Sequence, residues 1–290
     1  MVEPSDYASP VRPTWCTGCG NFGIWNAVKR ALAKAGLAPH EVMLISGIGC
    51  GSKLPDYTTA NGFLTLHGRT LAVATGAKLA NHRLKVICTH GDGDAYGEGG
   101  NHFVSAVRRN IGLVDIVQNN RVYGLTKGQY SPTSPQGFVT RTSPQGAIEQ
   151  PANPLLLALA AGATFVSRSW SGDVTHLTWL ITEALQHRGY ALVDVLQPCV
   201  TFNRQYSYDW LRPRVYKLED EDGHDPGDKE AAWDRAKEFG ERIPIGIIYR
   251  AEDKPSYEEQ VPALDAGPLV TQPLRVKPLS DYAALKDQYQ

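Results

Sequence analysis

The sequence predicts an α/β fold: a mostly parallel sheet with helices on both faces, plus a C-terminal arm. Three observations carry this. Apolar runs alternate with helix-period segments over the first 200 residues. The runs are continuous rather than alternating, which is the pattern of strands covered on both faces. Gly-rich turns follow several of them, at the carboxyl ends of strands where such sheets bind ligands.

The elements follow in order. NFGIWNAVKRALAKAG (21–36) carries Ile24, Val28, Leu32 and Ala35 at helical spacing. EVMLIS (41–46) is a short strand stopped by a Gly-rich turn, and RTLAVATGAKLANH (69–82) is a helix. LKVICTH (84–90) is a buried strand, and GDGDAYGEGGNHFVSAVRRN (91–110) is a turn leading into a helix, with His102 as helix packing. IGLVDIVQNN (111–120) is the next strand, PLLLALAAG (154–162) a helix, and ATFVSRS (163–169) a strand. DVTHLTWLITEALQHRG (173–189) is a helix and YALVDVLQP (190–198) a strand. Beyond Cys199 the chain turns aromatic and charged without a clear period, then shows a short helix at about 228–240 and a strand-like IPIGIIY (243–249). The reading is an α/β domain over 1–203 and an extension over 204–290 that packs on this core or on a partner subunit.

Composition narrows the function. The 290 residues are 42% hydrophobic and 20% charged, enough for a sizeable core. A net charge of −1 gives no basic field for nucleic acid. No run approaches the ~18–20 apolar residues that span a bilayer, and the N-terminus carries no signal-like segment, so a cytoplasmic protein is expected. Five cysteines, an odd number, argue against a disulfide framework and for metal ligands or redox centres.

Gly91-Asp92-Gly93 directly follows the strand 84–90, and Asn119-Asn120 ends the strand 111–120; 25 residues separate the two motifs. That is the length of one helix and one strand, so two adjacent parallel strands would present Asp92 and Asn120 side by side. A carboxylate, an amide oxygen and a backbone carbonyl, here that of Val122, suit an octahedral Mg²⁺ completed by phosphate oxygens. The glycines let the backbone approach a diphosphate. Each motif alone is a common turn or loop; the pairing, each after its own strand, is the signal.

Gly-Asp-Gly followed one helix and one strand later by Asn-Asn resembles the thiamine diphosphate motif. GIGCGS (47–52), TLHGRTLAVATGAKLAN (65–81), GDGDAYGEGGNHF (91–103), NNRVYGLTKGQYSPTSP (119–135) and QPCVTFN (197–203) resemble the β subunit of 2-oxoacid:ferredoxin oxidoreductases. The resemblance continues more loosely through GIIYRAEDKPSYEE (246–259). It implies that Asp92 and Asn120 hold Mg²⁺ by their side chains and Val122 by its carbonyl. It also implies that Ile48, Gly49, Cys50, Gly51, His67, Gly93, Asp94, Gly124 and Leu125 line thiamine diphosphate.

Cys16 and Cys19 form a C-x2-C pair on the N-terminal arm; Cys50 and Cys199 each follow a strand. Four thiolates suit a cubane cluster or a structural zinc, and the residues alone leave both open. A dithiol of the thioredoxin kind is disfavoured, because YASPVRPT rather than a strand precedes the pair. The resemblance implies a 4Fe–4S cluster on Cys16, Cys19, Cys50 and Cys199, close to the thiamine ring. Cys88, within LKVICTH, reads as core.

The resemblance further implies coenzyme A-dependent oxidative decarboxylation of a 2-oxoacid, with electrons passing through the cluster to ferredoxin. It places the activating glutamate on an α subunit. No catalytic residue is therefore expected in this chain, which would work only as a heterodimer or a dimer of heterodimers. Lys53 and Lys127, both expected at the cofactor mouth, suit the distal carboxylate of 2-oxoglutarate. Pyruvate or a broad range of 2-oxoacids is the alternative, and one lysine then suits coenzyme A phosphates. A non-redox thiamine diphosphate decarboxylase or synthase fragment with structural zinc is the competing class.

Overall fold

The computed structural model describes residues 1–273 together with 286 and 287. The last part of the expected extension, 274–285 and 288–290, lies outside the described residues. Its strands are β1 (Val42–Ser46), β2 (Asn61–Leu64), β3 (Lys85–Gly91), β4 (Val114–Asn119), β5 (Phe165–Trp170), β6 (Ala191–Leu196), β7 (Val215–Lys217) and β8 (Ile243–Arg250). Its helices are α1 (Asn21–Lys34), α2 (Thr70–Ala80), α3 (Gly100–Arg109), α4 (Pro154–Ala160), α5 (Val174–Gln186), α6 (Tyr208–Leu211) and α7 (Lys229–Lys237).

The eight strands form one sheet in the order β2-β1-β3-β4-β6-β5-β8-β7. All pairings are parallel except β5 with β8, so β8 and its parallel partner β7, both beyond residue 203, join the sheet reversed. Successive strand residues feed opposite cores. Ile87, Ile116 and Val193 pack with α1 and α5 on one face. Cys88, Val117 and Leu192 pack with α2, α3, α4 and α7 on the other. This double cover is why the strands read as continuous apolar runs.

Helix starts obey capping chemistry. Asp173 accepts from His176 N at the head of α5, Asn153 accepts from Leu155 N and Leu156 N at α4, and Asp228 accepts from Glu230 N and Ala231 N at α7. The expected strand 111–120 begins only at Val114. Asn110 ends α3 in a left-handed conformation (φ 51), and Leu113 N bonds Ile111 O in a tight turn. Asn110 holds this shape with its side chain, which accepts from Tyr190 N and donates to Pro255 O. β3 and β4 lie adjacent and parallel, so the Gly-Asp-Gly and Asn-Asn motifs leave the same end of the sheet.

Candidate active site

Four loops, leaving the carboxyl ends of β1, β2, β3 and β4, enclose one cavity. It is lined by Ile48, Gly49, Cys50, Gly51, His67, Gly93, Asp94, Gly124 and Leu125, and also by Asp92, Asn120 and Val122. Gly91 of the Gly-Asp-Gly motif, with Tyr123 and Thr126, which are not singled out from sequence, completes the wall. At Gly93 a Cβ would run into the Tyr123 ring, so only glycine lets the turn pass that close. Gly49 has φ +138, with nothing within 4 Å of the place a Cβ would take.

Asp92 is 1% exposed and begins a π-type turn over Gly93–Glu98. Its Oδ2 accepts from Ser131 Oγ at 2.5 Å and Thr133 Oγ1 at 2.6 Å. Both hydroxyls act on one oxygen. Burial raises the Asp92 carboxyl above its ordinary range, opposed by these two hydroxyl bonds. Asn120 Oδ1 accepts from Val122 N at 3.0 Å, drawing the amide and the following carbonyl into one compact turn. Ser131 and Thr133 carry no sequence signal as partners of Asp92: they stand among prolines, 39 and 41 residues away.

Asp94, 2% exposed, ties the cavity walls together. Its Oδ1 accepts from Ile48 N and Gly68 N, both at 2.9 Å, and its Oδ2 accepts from Thr70 Oγ1 at 2.9 Å. His67 Nδ1 lies 2.8 Å from Oδ1, at ion-pair distance. With its oxygens taken by protein donors, Asp94 shapes the cavity rather than offering a free ligand atom. Behind it His90 faces Asp94 Oδ2 at 2.9 Å and Asp115 Oδ1 at 2.7 Å, and Tyr190 donates to Asp115 Oδ2. Burial alone would discharge His90, but Asp115 and Asp94 outweigh it and raise its pKa to about 10. Burial likewise opposes ionisation of Asp94, yet the His90 bond and the Gly68 and Ile48 N–H groups hold it well below the carboxylate range.

The cysteine arm docks beside this cavity. Trp15 Nε1 donates to Cys50 O at 2.7 Å, and Gly20 N donates to Pro198 O at 3.2 Å, pinning residues 15–20 between the two single-cysteine loops. A Cβ on Gly124 would lie 3.6 Å from Cys50 Sγ and 3.9 Å from Cys199 Sγ. Cys16 Sγ accepts from Thr201 Oγ1, and Cys19 Sγ from Gln197 Nε2. Burial pushes the Cys19 thiol up to about 12; a bond from Asn21 N opposes this, and the nearby Cys199, Cys50 and Cys16 add to it. Cys88 is fully buried in β3, apart from this group.

Neither lysine lines the cavity. Lys53 Nζ donates to Thr14 Oγ1 at 3.0 Å. Lys127, exposed and left-handed (φ 77), follows the lining residues Leu125 and Thr126. Among the described residues, no helix is long and apolar enough to cross a membrane.

Comparison with known proteins places this geometry. Residues 26–195 match the family model of the thiamine pyrophosphate enzymes' C-terminal TPP-binding domain. Residues 199–266 match the family model for the C-terminal part of the pyruvate ferredoxin oxidoreductase beta chain. The sequence is 43% identical over 285 residues to 2-oxoacid:ferredoxin oxidoreductase 1, subunit beta, of Aeropyrum pernix, covering 95% of this chain and 90% of that one. It is 47% identical over 258 residues to the corresponding beta subunit of Saccharolobus solfataricus, covering 85% of each. A solved structure of 2-oxoglutarate:ferredoxin oxidoreductase from Magnetococcus marinus, with 2-oxoglutarate, coenzyme A and succinyl-CoA bound, superposes with a TM-score of 0.89 at 37% identity, covering 98% of this chain and 96% of that one. A family match over most of the chain, and similarity of this extent at both sequence and fold level, mean that the chain belongs to the thiamine pyrophosphate-binding β subunits of 2-oxoacid:ferredoxin oxidoreductases, enzymes that work as a complex with a partner subunit.

Proposed function

We propose that this protein, together with its α subunit, performs the coenzyme A-dependent oxidative decarboxylation of 2-oxoglutarate to succinyl-CoA, and passes the electrons through a 4Fe–4S cluster to ferredoxin. The observation that carries this reading is the position of Cys50. It lines the cavity beside Asp92 and Asn120, while its sulfur and that of Cys199 flank Gly124. One residue thus borders both the proposed diphosphate site and the proposed redox site.

The residues fit the groups. Asp92, Asn120 and the Val122 carbonyl offer hard oxygen ligands to Mg²⁺ at a glycine-lined wall. A cation beside the buried Asp92 would offset the cost of its charge. Four cysteine thiolates suit a 4Fe–4S cluster as well as zinc, and beside a thiamine diphosphate site a redox group has a use that zinc lacks. Free cysteines of this kind suit a reducing cytoplasm.

Bound thiamine diphosphate supplies a C2 carbanion and an electron sink for decarboxylation, and a bound cluster supplies one-electron acceptance. This chain's residues do the holding. Ser131 and Thr133 orient the Asp92 carboxylate, Asp94 fixes the Ile48 and Gly68 turns, and Trp15 fixes the Cys50 loop. Phe63, Leu64 and Leu66 lie 50%, 62% and 78% exposed just before His67, an apolar edge suited to the α subunit beside the cavity. Lys53 is engaged by Thr14, which leaves Lys127 as the better reader of a distal carboxylate.

The test is anaerobic, coenzyme A-dependent viologen reduction by the αβ complex. Preference for 2-oxoglutarate over pyruvate, reduced by Lys127→Ala, is the expected result. Preference for pyruvate would retire the 2-oxoglutarate assignment, and no coenzyme A dependence would retire the reaction.

A further inference from the structure

The carboxyl ends of β4, β6 and β5 open into a second cavity, next along the sheet from the first and closed over by residues 206–240. Its wall is charged. Arg168 and Asp194 are register partners on β5 and β6, 3% and 1% exposed, and Arg121 is 9% exposed. Each keeps one buried atom without a hydrogen-bond partner: Arg168 Nε, Asp194 Oδ1 and Arg121 Nη1. The hydrogen bonds these arginines make are to neutral groups, and the nearby Asp194 carboxylate offsets part of their charge. Arg121 Nε donates to Thr133 O at 2.6 Å, and its guanidinium lies 4.4 Å and 4.3 Å from the Tyr206 and Phe239 ring centres. Arg168 Nη1 donates to Glu238 O at 3.2 Å. Lys237, exposed and paired with Asp234 at 2.9 Å, stands at the rim.

Two buried guanidinium groups sharing one carboxylate keep an excess positive charge and unmet donors, which a further anion would satisfy. The unmet acceptor on Asp194 selects which anion. A carboxylate or sulfate brings only acceptors and would face that oxygen with like charge. A hydrogen phosphate offers acceptors to the arginines and a P–OH to Asp194. We propose that this cavity is a binding site for inorganic hydrogen phosphate, which keeps one P–OH where a phosphate monoester has lost it. The proposal stands apart from the diphosphate reading of the first cavity. The two are nonetheless in contact: Arg121 lies between Asn120 and Val122, and Asp194 Oδ2 accepts from Asn119 Nδ2 at 3.1 Å. A phosphate held here would brace the loop that lines the first cavity.

The experiment is equilibrium dialysis of radiolabelled inorganic phosphate against the αβ complex loaded with thiamine diphosphate and Mg²⁺, at pH 8. Burial lifts Asp194 only to about 6, so it is ionised there. The expected result is one phosphate per chain, with sulfate competing at least roughly tenfold more weakly, and affinity falling roughly tenfold or more in Arg168→Gln. Lys237→Gln changes an exposed side chain, so it keeps the fold and still weakens binding several-fold. Saturating coenzyme A, whose monoester carries no P–OH at this pH, leaves the phosphate in place; displacement by it overturns the role of Asp194. No stoichiometric binding, or binding unchanged in both variants, overturns the site, and equal competition by sulfate overturns the role of Asp194.

Discussion

Thr133 Oγ1 sits 2.6 Å from Asp92 Oδ2 and 3.0 Å from Asn119 Oδ1, and with one proton to give it donates to the carboxylate. A hydroxyl far along the chain thus aims the proposed metal-binding carboxylate. Thr133→Val keeps the shape and removes the donor. Mg²⁺-dependent thiamine diphosphate affinity of the complex should fall about 10–100-fold, as for outer-shell partners of metal ligands generally. Calorimetric titration reads this, and unchanged affinity would mean that Ser131 alone suffices.

Asp92→Ala removes the carboxylate itself. Mg²⁺-dependent cofactor binding should be lost while the iron content of the complex stays. Tight cofactor binding in this variant would sink the metal assignment.

Cys199→Ala should lose or degrade the cluster. Cys88→Ala, in the core of β3, should cost about 1 kcal/mol of stability and leave iron unchanged. Iron and acid-labile sulfide analysis separates the two, and equal iron loss in both would mean the fourth ligand is misassigned.

His187 gives the fold a pH signature away from the site. Its Nε2 lies 2.8 Å from Thr164 Oγ1, and burial, aided by the Arg250 charge, lowers its pKa from 6.5 to about 4. A depressed pKa means the unfolded chain takes the proton first. The contribution to stability is complete above pH 6.5, is lost as pH falls toward 4, and then levels. Thermal midpoints of the complex across that window should fall less steeply in His187→Gln than in the wild type. Parallel curves would assign the acid sensitivity elsewhere.

What is legible in the sequence follows from what is local. β1, β3, β4, β5 and β6 are readable because strands buried on both faces are mostly apolar, and the Gly-Asp-Gly and Asn-Asn motifs are readable because each directly follows its strand. β2 is not: Asn61–Leu64 is four residues long and exposed at every one. Nor is the reversed direction of β8, because apolar content does not encode strand polarity. Ser131, Thr133 and the Asp94–His90–Asp115–Tyr190 chain escape for a related reason. Their partners are chosen by topology, and a buried histidine between two aspartates 21 residues apart leaves no periodic trace.

The reversed β8 also decides what happens at the margin of the sheet. β5 is buried at all six positions, and without β8 its outward N–H and C=O groups would stand bare. Such an edge is a template for pairing with other chains. A fragment ending at residue 203 would therefore self-associate through β5, whatever the state of its cofactor loops. In the longer chain the exposed margin passes to β7, whose three residues are too few to recruit another strand.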